Sequence, residues 1–447
     1  MRLLLLCLFL MCLAPAQEAT TPERPNLLVI VTDDQRFDQM GCAGHPVLQT
    51  PHMDSLAARG VRFTNAFVTT PICAASRASI MSGRWEATHG YTFGKPPMSQ
   101  ALAEDTYFAQ LRRRGYRTSF VGKWGVRMEK SARTDLFDDF RSMSPPYLKK
   151  DLAHLTERTA DAAIDMLPKD GTGAPFCLTI SFNAPHAEDA HEDQFIPPPD
   201  LATLYEDAKV SPPPLAKEGF EALPEFLAKS LGRRRWTWRF DDREKQIKRT
   251  KDYWRMITGV DQAMGRVLAE LEIRGLTDNT VVLFISDNGF FLGERGLAGK
   301  WFIYEESIRV PFIISDPRAD SKTRGTTEDS IALNVDLAPT LLALAGAEVP
   351  KTYEGQSLAP YLNGETLPRR EDFLVEHHFN HKEIPKSIGL RGERWVYANY
   401  YEQDPPYEQL FDLAADPNQL NNLAADPAHQ ETLTDHRERC RGVSSIK

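Results

Sequence analysis

Four strand-like runs, each ending in polar residues, constrain what this chain can fold into. Asn26-Leu27-Leu28-Val29-Ile30-Val31 ends in Thr32-Asp33-Asp34. Arg117-Thr118-Ser119-Phe120-Val121 ends in Gly122-Lys123-Trp124, and Phe176 to Phe182 ends in Asn183-Ala184-Pro185-His186. Thr280 to Ile285 ends in Ser286-Asp287-Asn288-Gly289. The first of these is a continuous apolar run, of the kind that suits a strand buried on both faces, as in parallel sheets. Between the last two, Tyr253, Ile257, Val260, Met264, Val267, Leu268 and Leu271 keep a helical spacing that leads straight into the next strand. The pattern predicts an α/β chain with a mostly parallel central sheet flanked by helices. Ligands of such sheets collect beyond the carboxyl ends of the strands. All four runs place their polar residues there.

The ends of the chain read differently. Met1-Arg2, the apolar stretch Leu3 to Leu13 and Ala14-Pro15-Ala16 form a secretory signal peptide pattern, residues 1–16, with cleavage expected after Ala16 and export as the consequence. No later segment approaches the roughly 18 uninterrupted apolar residues of a membrane span. Cleavage removes one Arg and no acid, so the formal charge moves from −9 to −10. That balance argues against a nucleic-acid partner, while a local cationic pocket could still take a small anion. Four cysteines remain, Cys42, Cys73, Cys177 and Cys440, which is no disulfide framework and allows at most one bridge.

Residues 196–245 break the α/β rhythm. Pro197-Pro198-Pro199 and Pro212-Pro213-Pro214 bracket a stretch that closes with Arg233-Arg234-Arg235-Trp236-Thr237-Trp238-Arg239. It reads as a long excursion over the rim of the site. Tryptophan beside arginine suits sugar faces and anionic groups, and a surface loop pinned by aromatic packing accounts for the same residues equally well. From about Asp372 the chain alternates, with Arg394 to Tyr400 and Glu408 to Leu413 separated by turn residues, which predicts a small antiparallel sheet. The expected division is a catalytic α/β domain over 24–365 and a C-terminal subdomain over 366–447.

Two acid-bearing strand ends point to a metal. Asp33-Asp34 and Asp287-Asn288 together offer oxygen donors without histidine or thiolate, a set that suits Ca²⁺ or Mg²⁺ and not Zn²⁺. Either pair alone also makes caps and turns. Between them in sequence lies Cys73-Ala74-Ala75-Ser76-Arg77, which follows the turn-like Thr70-Pro71-Ile72 and opens a helix-compatible stretch. A helix N-terminus favours an anion through its free N–H groups and dipole. Arg77, one turn on, adds a permanently charged donor fork. A buried apolar cysteine ahead of a core helix is the bland alternative.

The ordered set of motifs closely resembles the formylglycine-dependent (type I) sulfatases of the alkaline-phosphatase-like superfamily. The resemblance runs from Pro25 to about Leu423, through Asn26–Asp34, Cys73–Arg84, Gly122-Lys123-Trp124, Ala184-Pro185-His186, Ser286–Gly289, and Lys300 followed by Tyr304–Pro311. It implies that a maturation enzyme oxidises Cys73 to formylglycine. It also implies that Asp33, Asp34, Asp287, Asn288 and the modified Cys73 hold one Ca²⁺. Arg77, Lys123 and Lys300 are then expected to neutralise sulfate oxygens, and His186 or Lys300 to protonate the leaving alcohol. The chain departs from the family pattern at three places. Ala75 replaces the usual proline, Gly125 replaces a histidine thought to trigger elimination, and Arg295 stands where Gly-Glu-His-Gly is common. His89 or a water could replace the missing base, and Arg295 could bind an anion. His377-His378 lies where family members often contact substrate, whereas His45 and His52 read as structural. The leading expectation is an exported hydrolase of sulfated glycans. A phosphodiester or phosphonate monoester hydrolase on the same scaffold, or a non-catalytic glycan-binding protein, are the alternatives.

Overall fold

A computed structural model describes residues 24–443 apart from 95, 130, 131, 134, 135 and 172, so the signal peptide pattern at 1–16 lies outside the described residues. The central sheet contains β1 (Asn26–Thr32), β2 (Val61–Phe63), β3 (Arg117–Gly122), β4 (Asp139–Ser142), β5 (Phe176–Ser181), β6 (Thr280–Ser286), β7 (Phe312–Ser315) and β8 (Thr326–Glu328). Their order across the sheet is β8-β2-β7-β6-β1-β5-β3-β4. All neighbours are parallel except β7, which runs antiparallel to both β2 and β6. The inversion follows from the connection: residues 287–311 hold the short paired strands Phe291–Leu292 and Ala298–Gly299, the 3-10 turn Glu294–Gly296 and the short helix Glu305–Ile308 but no crossover helix, so the chain returns in the opposite sense. A mostly parallel α/β sheet is therefore present, with one strand reversed.

Alternate residues of β1 feed two cores, as the period of a strand requires. Leu27, Val29 and Val31 pack with α2 (Cys73–Ser82), α3 (Tyr107–Arg113) and α7 (Leu337–Leu344). Leu28 and Ile30 face α1 (Pro51–Ala58), α4 (Leu155–Met166) and the long α6 (Arg243–Ile273). Register then aligns the strand ends. Val31 pairs with Ser181, Thr32 with Ser286, and Gly122 with Ser181. Gly122 has no alternative residue: its φ is 105°, and a Cβ would lie 2.0 Å from the Ser181 carbonyl oxygen.

A second, four-stranded antiparallel sheet comprises β9 (Asp372–His377), β10 (Ser387–Gly392), β11 (Trp395–Tyr400) and β12 (Tyr407–Asp412) in sequential order. Phe373, Val375, Val396 and Phe411 on one face pack on Phe67, Phe291 and Tyr304 of the main unit. Leu374, Ile388, Leu390 and Leu410 on the other face meet Leu433 and Cys440 of α8 (Gln430–Val443). Cys42, Cys73, Cys177 and Cys440 are all free thiols. Among the described residues no helix is long and apolar enough to cross a membrane.

Candidate active site

The aligned carboxyl ends bring nine of the expected residues together. Asp33 and Asp34 leave β1, Lys123 follows β3, His186 follows β5, and Asp287 and Asn288 follow β6. Asp34 takes a left-handed φ of 68°, which turns it away from extended geometry and lets adjacent carboxylates address one centre. Ligand atoms of Asp33, Asp34 and Asp287 lie within 4.8 Å of one another, and all three residues are buried. Cys73 is the first residue of α2, and Ile72 before it supplies no side-chain cap. Its sulfur, an Asp33 oxygen and a His186 ring nitrogen also lie within 4.8 Å of one another.

Cations knit the carboxylates together. Lys123 Nζ contacts Asp33 Oδ2, and Lys300 Nζ contacts Asp34 Oδ1. Arg77 donates from Nε to Asp287 Oδ2 at 2.8 Å and from Nη1 to the Lys123 carbonyl at 2.9 Å, and it also contacts Ser181 Oγ. Asn288 Nδ2 donates to Asp34 Oδ1 at 2.5 Å. His186 Nδ1 sits 2.6 Å from the Ala187 carbonyl oxygen, and Nε2 lies 3.7 Å from Asp34 Oδ2. A carbonyl only accepts, so Nδ1 carries the proton and Nε2 the lone pair. The Tyr147 hydroxyl donates to the His186 carbonyl at 2.8 Å and fixes that turn.

The electrostatics of the cluster are those of crowded buried carboxylates among cations. Burial and the neighbouring Asp33 raise the Asp287 carboxyl to about 7. Asp33 stays below the usual carboxylate range because Lys123, His186, Lys300 and Arg77 together outweigh the effect of its burial. Asp33 Oδ1 and Asn288 Oδ1 are buried with no hydrogen-bond partner. Burying such acceptors unpaired is costly, and a hard divalent ion bound by oxygens would satisfy them. The residues fit a metal. Burial, followed by Lys123, lowers His186 to about 4, and burial pushes the Cys73 thiol up against the pull of Lys123 and Lys300.

Other expected residues are placed elsewhere. His89 accepts from Tyr91 N at Nδ1, 3.1 Å, and meets Ser79 Oγ at 3.0 Å through Nε2, so neither nitrogen is free to act as a base. Arg295 is engaged by the protein itself: buried, it donates to the carbonyls of Gln419 and Asn418, lies 3.7 Å from Glu306 and 4.2 Å from the Tyr304 ring centroid. His378 meets Glu376 at 3.0 Å and Tyr401 at 3.1 Å, and His377 is fully buried beside it. His45 accepts from Leu48 N, and His52 N–H donates to Asp261, as structural residues do. Sequence reading missed Ser181 and Tyr147. Ser181 was legible in principle, as the polar residue closing β5 opposite Gly122.

A family model described as sulfatase matches residues 25–347. The chain belongs to the sulfatase family. A second model, N-sulphoglucosamine sulphohydrolase, C-terminal, matches residues 293–445 of this sulfatase. It is 28% identical to an N-acetylglucosamine-6-O-sulfatase of Bacteroides thetaiotaomicron, over 92% of this chain and 84% of that protein. It is 30% identical to a choline-sulfatase of Rhizobium meliloti, over 94% of this chain and 86% of the relative. A structure solved in complex with its substrate D-glucosamine-2-N,6-O-disulfate superposes with a TM-score of 0.82 at 25% identity, covering 94% of this chain and 97% of that one. The enzyme is thus a sulfatase, a hydrolase of sulfate esters, and its family implies a metal ion and a modified cysteine.

Proposed function

We propose that this sulfatase is an exported enzyme that removes sulfate from a sulfated carbohydrate, with Cys73 converted to formylglycine by a maturation enzyme. The observation that carries the reading is the convergence of Arg77, Lys123 and Lys300 with three carboxylates around Cys73 at one sheet edge. Sugar substrates are supported by the relatives named for N-acetylglucosamine-6-O-sulfate and for ulvan. A catalytic unit over 24–365 would carry the chemistry and 366–447 would close its side.

Asp33, Asp34, Asp287, Asn288 and the modified Cys73 would hold Ca²⁺, which supplies Lewis-acid neutralisation of sulfate oxygens. Arg77, Lys123 and Lys300 orient the ester and stabilise its gathering charge. With Cys73 as the hydrated aldehyde, one hydroxyl would lose its proton to solvent and bond to sulfur as the bond from sulfur to the ester oxygen breaks, and the departing alkoxide would take up a proton and leave as the alcohol. Lys300 is the donor that the geometry favours, because opposing carboxylates hold its ammonium protonated, whereas neutral His186 has no proton at Nε2. The second hydroxyl then gives its proton to a base, the carbon–oxygen bond to sulfate breaks, and the aldehyde returns. His186 Nε2 is the lone pair available for that step, in place of the histidine absent at Gly125.

The test has two parts. Peptide mass should show Cys73 about 18 Da lighter than unmodified cysteine, and the matured protein should release sulfate from a panel of sulfated monosaccharides. Modified protein that releases none across the panel defeats the reading. Phosphonate monoester or phosphodiester hydrolysis is the second reading, favoured by a 26% identical relative, a multifunctional alkaline phosphatase superfamily protein of Trinickia caryophylli. Higher kcat/KM on phosphodiesters than on sulfate esters would decide for it.

A further inference from the structure

We propose that the chain, when folded with Cys73 still a thiol, holds a soft divalent cation such as Zn²⁺ on Cys73 Sγ, His186 Nε2 and Asp33 Oδ1. The three residues already offer ligand atoms within 4.8 Å of one another. His186 is arranged as a ligating imidazole: Nδ1 donates to the Ala187 carbonyl at 2.6 Å, which fixes the tautomer and leaves the Nε2 lone pair free. Such an outer hydrogen bond to a backbone carbonyl is the usual support of a metal-bound histidine. That lone pair lies 3.7 Å from a carboxylate oxygen of Asp34. Asp33 is fully buried, and its Oδ1 accepts no hydrogen bond, with Lys300 Nζ 3.9 Å away, while Oδ2 meets Lys123.

Sulfur, nitrogen and oxygen ligands with an open fourth position are a zinc-type set, whereas Asp33, Asp34, Asp287 and Asn288 offer oxygen only. On binding, a sulfur–metal bond forms, the thiol proton leaves to solvent, and nothing is oxidised or reduced. Asp33 belongs to both sets, so the soft and the hard cation compete for it. Conversion of Cys73 removes the sulfur, abolishes the soft site and leaves the oxygen site intact. The chemical state of one residue thereby decides which metal the enzyme carries. The inference concerns the unconverted chain and does not depend on which ester the mature enzyme cleaves.

The experiment uses full-length protein made without maturation, its thiol confirmed by peptide mass and its metals stripped. Titration with Co²⁺ alone should give an intense near-ultraviolet thiolate-to-cobalt absorption that saturates at one equivalent. Zn²⁺ should displace it with release of a proton. Cys42→Ser should leave the band unchanged, Cys73→Ser should abolish it, and His186→Gln should weaken Co²⁺ binding by roughly tenfold or more. In the unaltered protein, Zn²⁺ should slow alkylation of Cys73 by iodoacetamide. No band at one equivalent, a band that survives Cys73→Ser, or alkylation unchanged by Zn²⁺ would each overturn the proposal.

Discussion

Arg77 has its nitrogens divided among three elements. Nε serves Asp287, and Nη1 serves the Lys123 carbonyl and Ser181 Oγ. Nη2 is buried without a hydrogen bond, 3.7 Å from Asp33. A planar fork held by two edges presents its remaining N–H groups at a fixed angle, which an ammonium on a flexible stem does not reproduce. Arg77→Lys should therefore lower kcat/KM about 10²- to 10³-fold, the range found when one aimed donor is lost. Steady-state kinetics on protein of matched modification checks this, and a loss under threefold would show that charge alone suffices. Gly125 works by absence. Its φ is 69°, and a Cβ would stand 3.0 Å from Arg77 Cδ. Gly125→His, which restores the residue usual in relatives, should not raise kcat. It should cost about 1–2 kcal/mol for the left-handed backbone, read by urea melts, and a rise in kcat would instead show that a base is missing.

At the scale of elements, the Arg- and Trp-rich excursion is where structure and sequence part most. Its tail forms α5 (Leu231–Arg239), a helix in which positions four apart share a face. Arg235 and Arg239 turn inward onto Asp189, with Arg239 also donating to Gln194 at 2.9 Å, while Trp238 is exposed. Arg239→Ala should destabilise by about 3–5 kcal/mol, as breaking a buried ion pair does. Trp238→Ala should stay within about 0.5 kcal/mol. Urea unfolding of both separates anchor from rim, and equal effects would contradict the inward and outward assignment. Sequence hid this because the buried face is built from guanidinium groups, which apolar periodicity does not register. The strands were legible for the opposite reason: β1, β5 and β6 are largely apolar runs, β3 carries Phe120-Val121 ahead of Gly122, and each is followed by the polar residues of the site. The reversal of β7 was not legible, since Phe312–Ser315 is apolar in either direction and only the connection sets its sense. Asp33, Lys123, His186 and Asp287 could be placed from strand ends alone. His89 and Arg295 could not, because their partners, Ser79 and the carbonyls of Asn418 and Gln419, are set by tertiary packing.

Across the whole molecule, two couplings join chemistry to stability. The first is Arg295, whose guanidinium ties the loop after β6 to the segment after β12. Arg295→Met keeps the volume and removes the donors, so the buried Gln419 carbonyl and the part-buried Asn418 carbonyl lose partners and Glu306, 3.7 Å away, loses its countercharge. A loss of about 2–4 kcal/mol is expected, with kcat per folded molecule unchanged at low temperature; a selective fall in kcat would return Arg295 to the site. The second is the carboxylate cluster. In metal-free protein the Asp287 carboxyl titrates at about 7 against 3.8 when unperturbed, because of burial and Asp33. A carboxyl raised in the folded state binds its proton more tightly there than in the unfolded chain. Its stabilisation is complete below the unfolded value and is lost as pH rises through the folded one. Chelated protein should therefore lose stability between about pH 4 and pH 7. A bound divalent ion reverses the sign, since it needs the same carboxylates ionised, and at a hundredfold excess over its Kd it adds about 2.7 kcal/mol. The difference in Tm between Ca²⁺-loaded and chelated protein should consequently widen from pH 5 to pH 8, and this widening should collapse in Asp287→Asn, where the titrating carboxyl is gone. A difference that is flat with pH in the parent enzyme would mean that the three carboxylates do not share one cation.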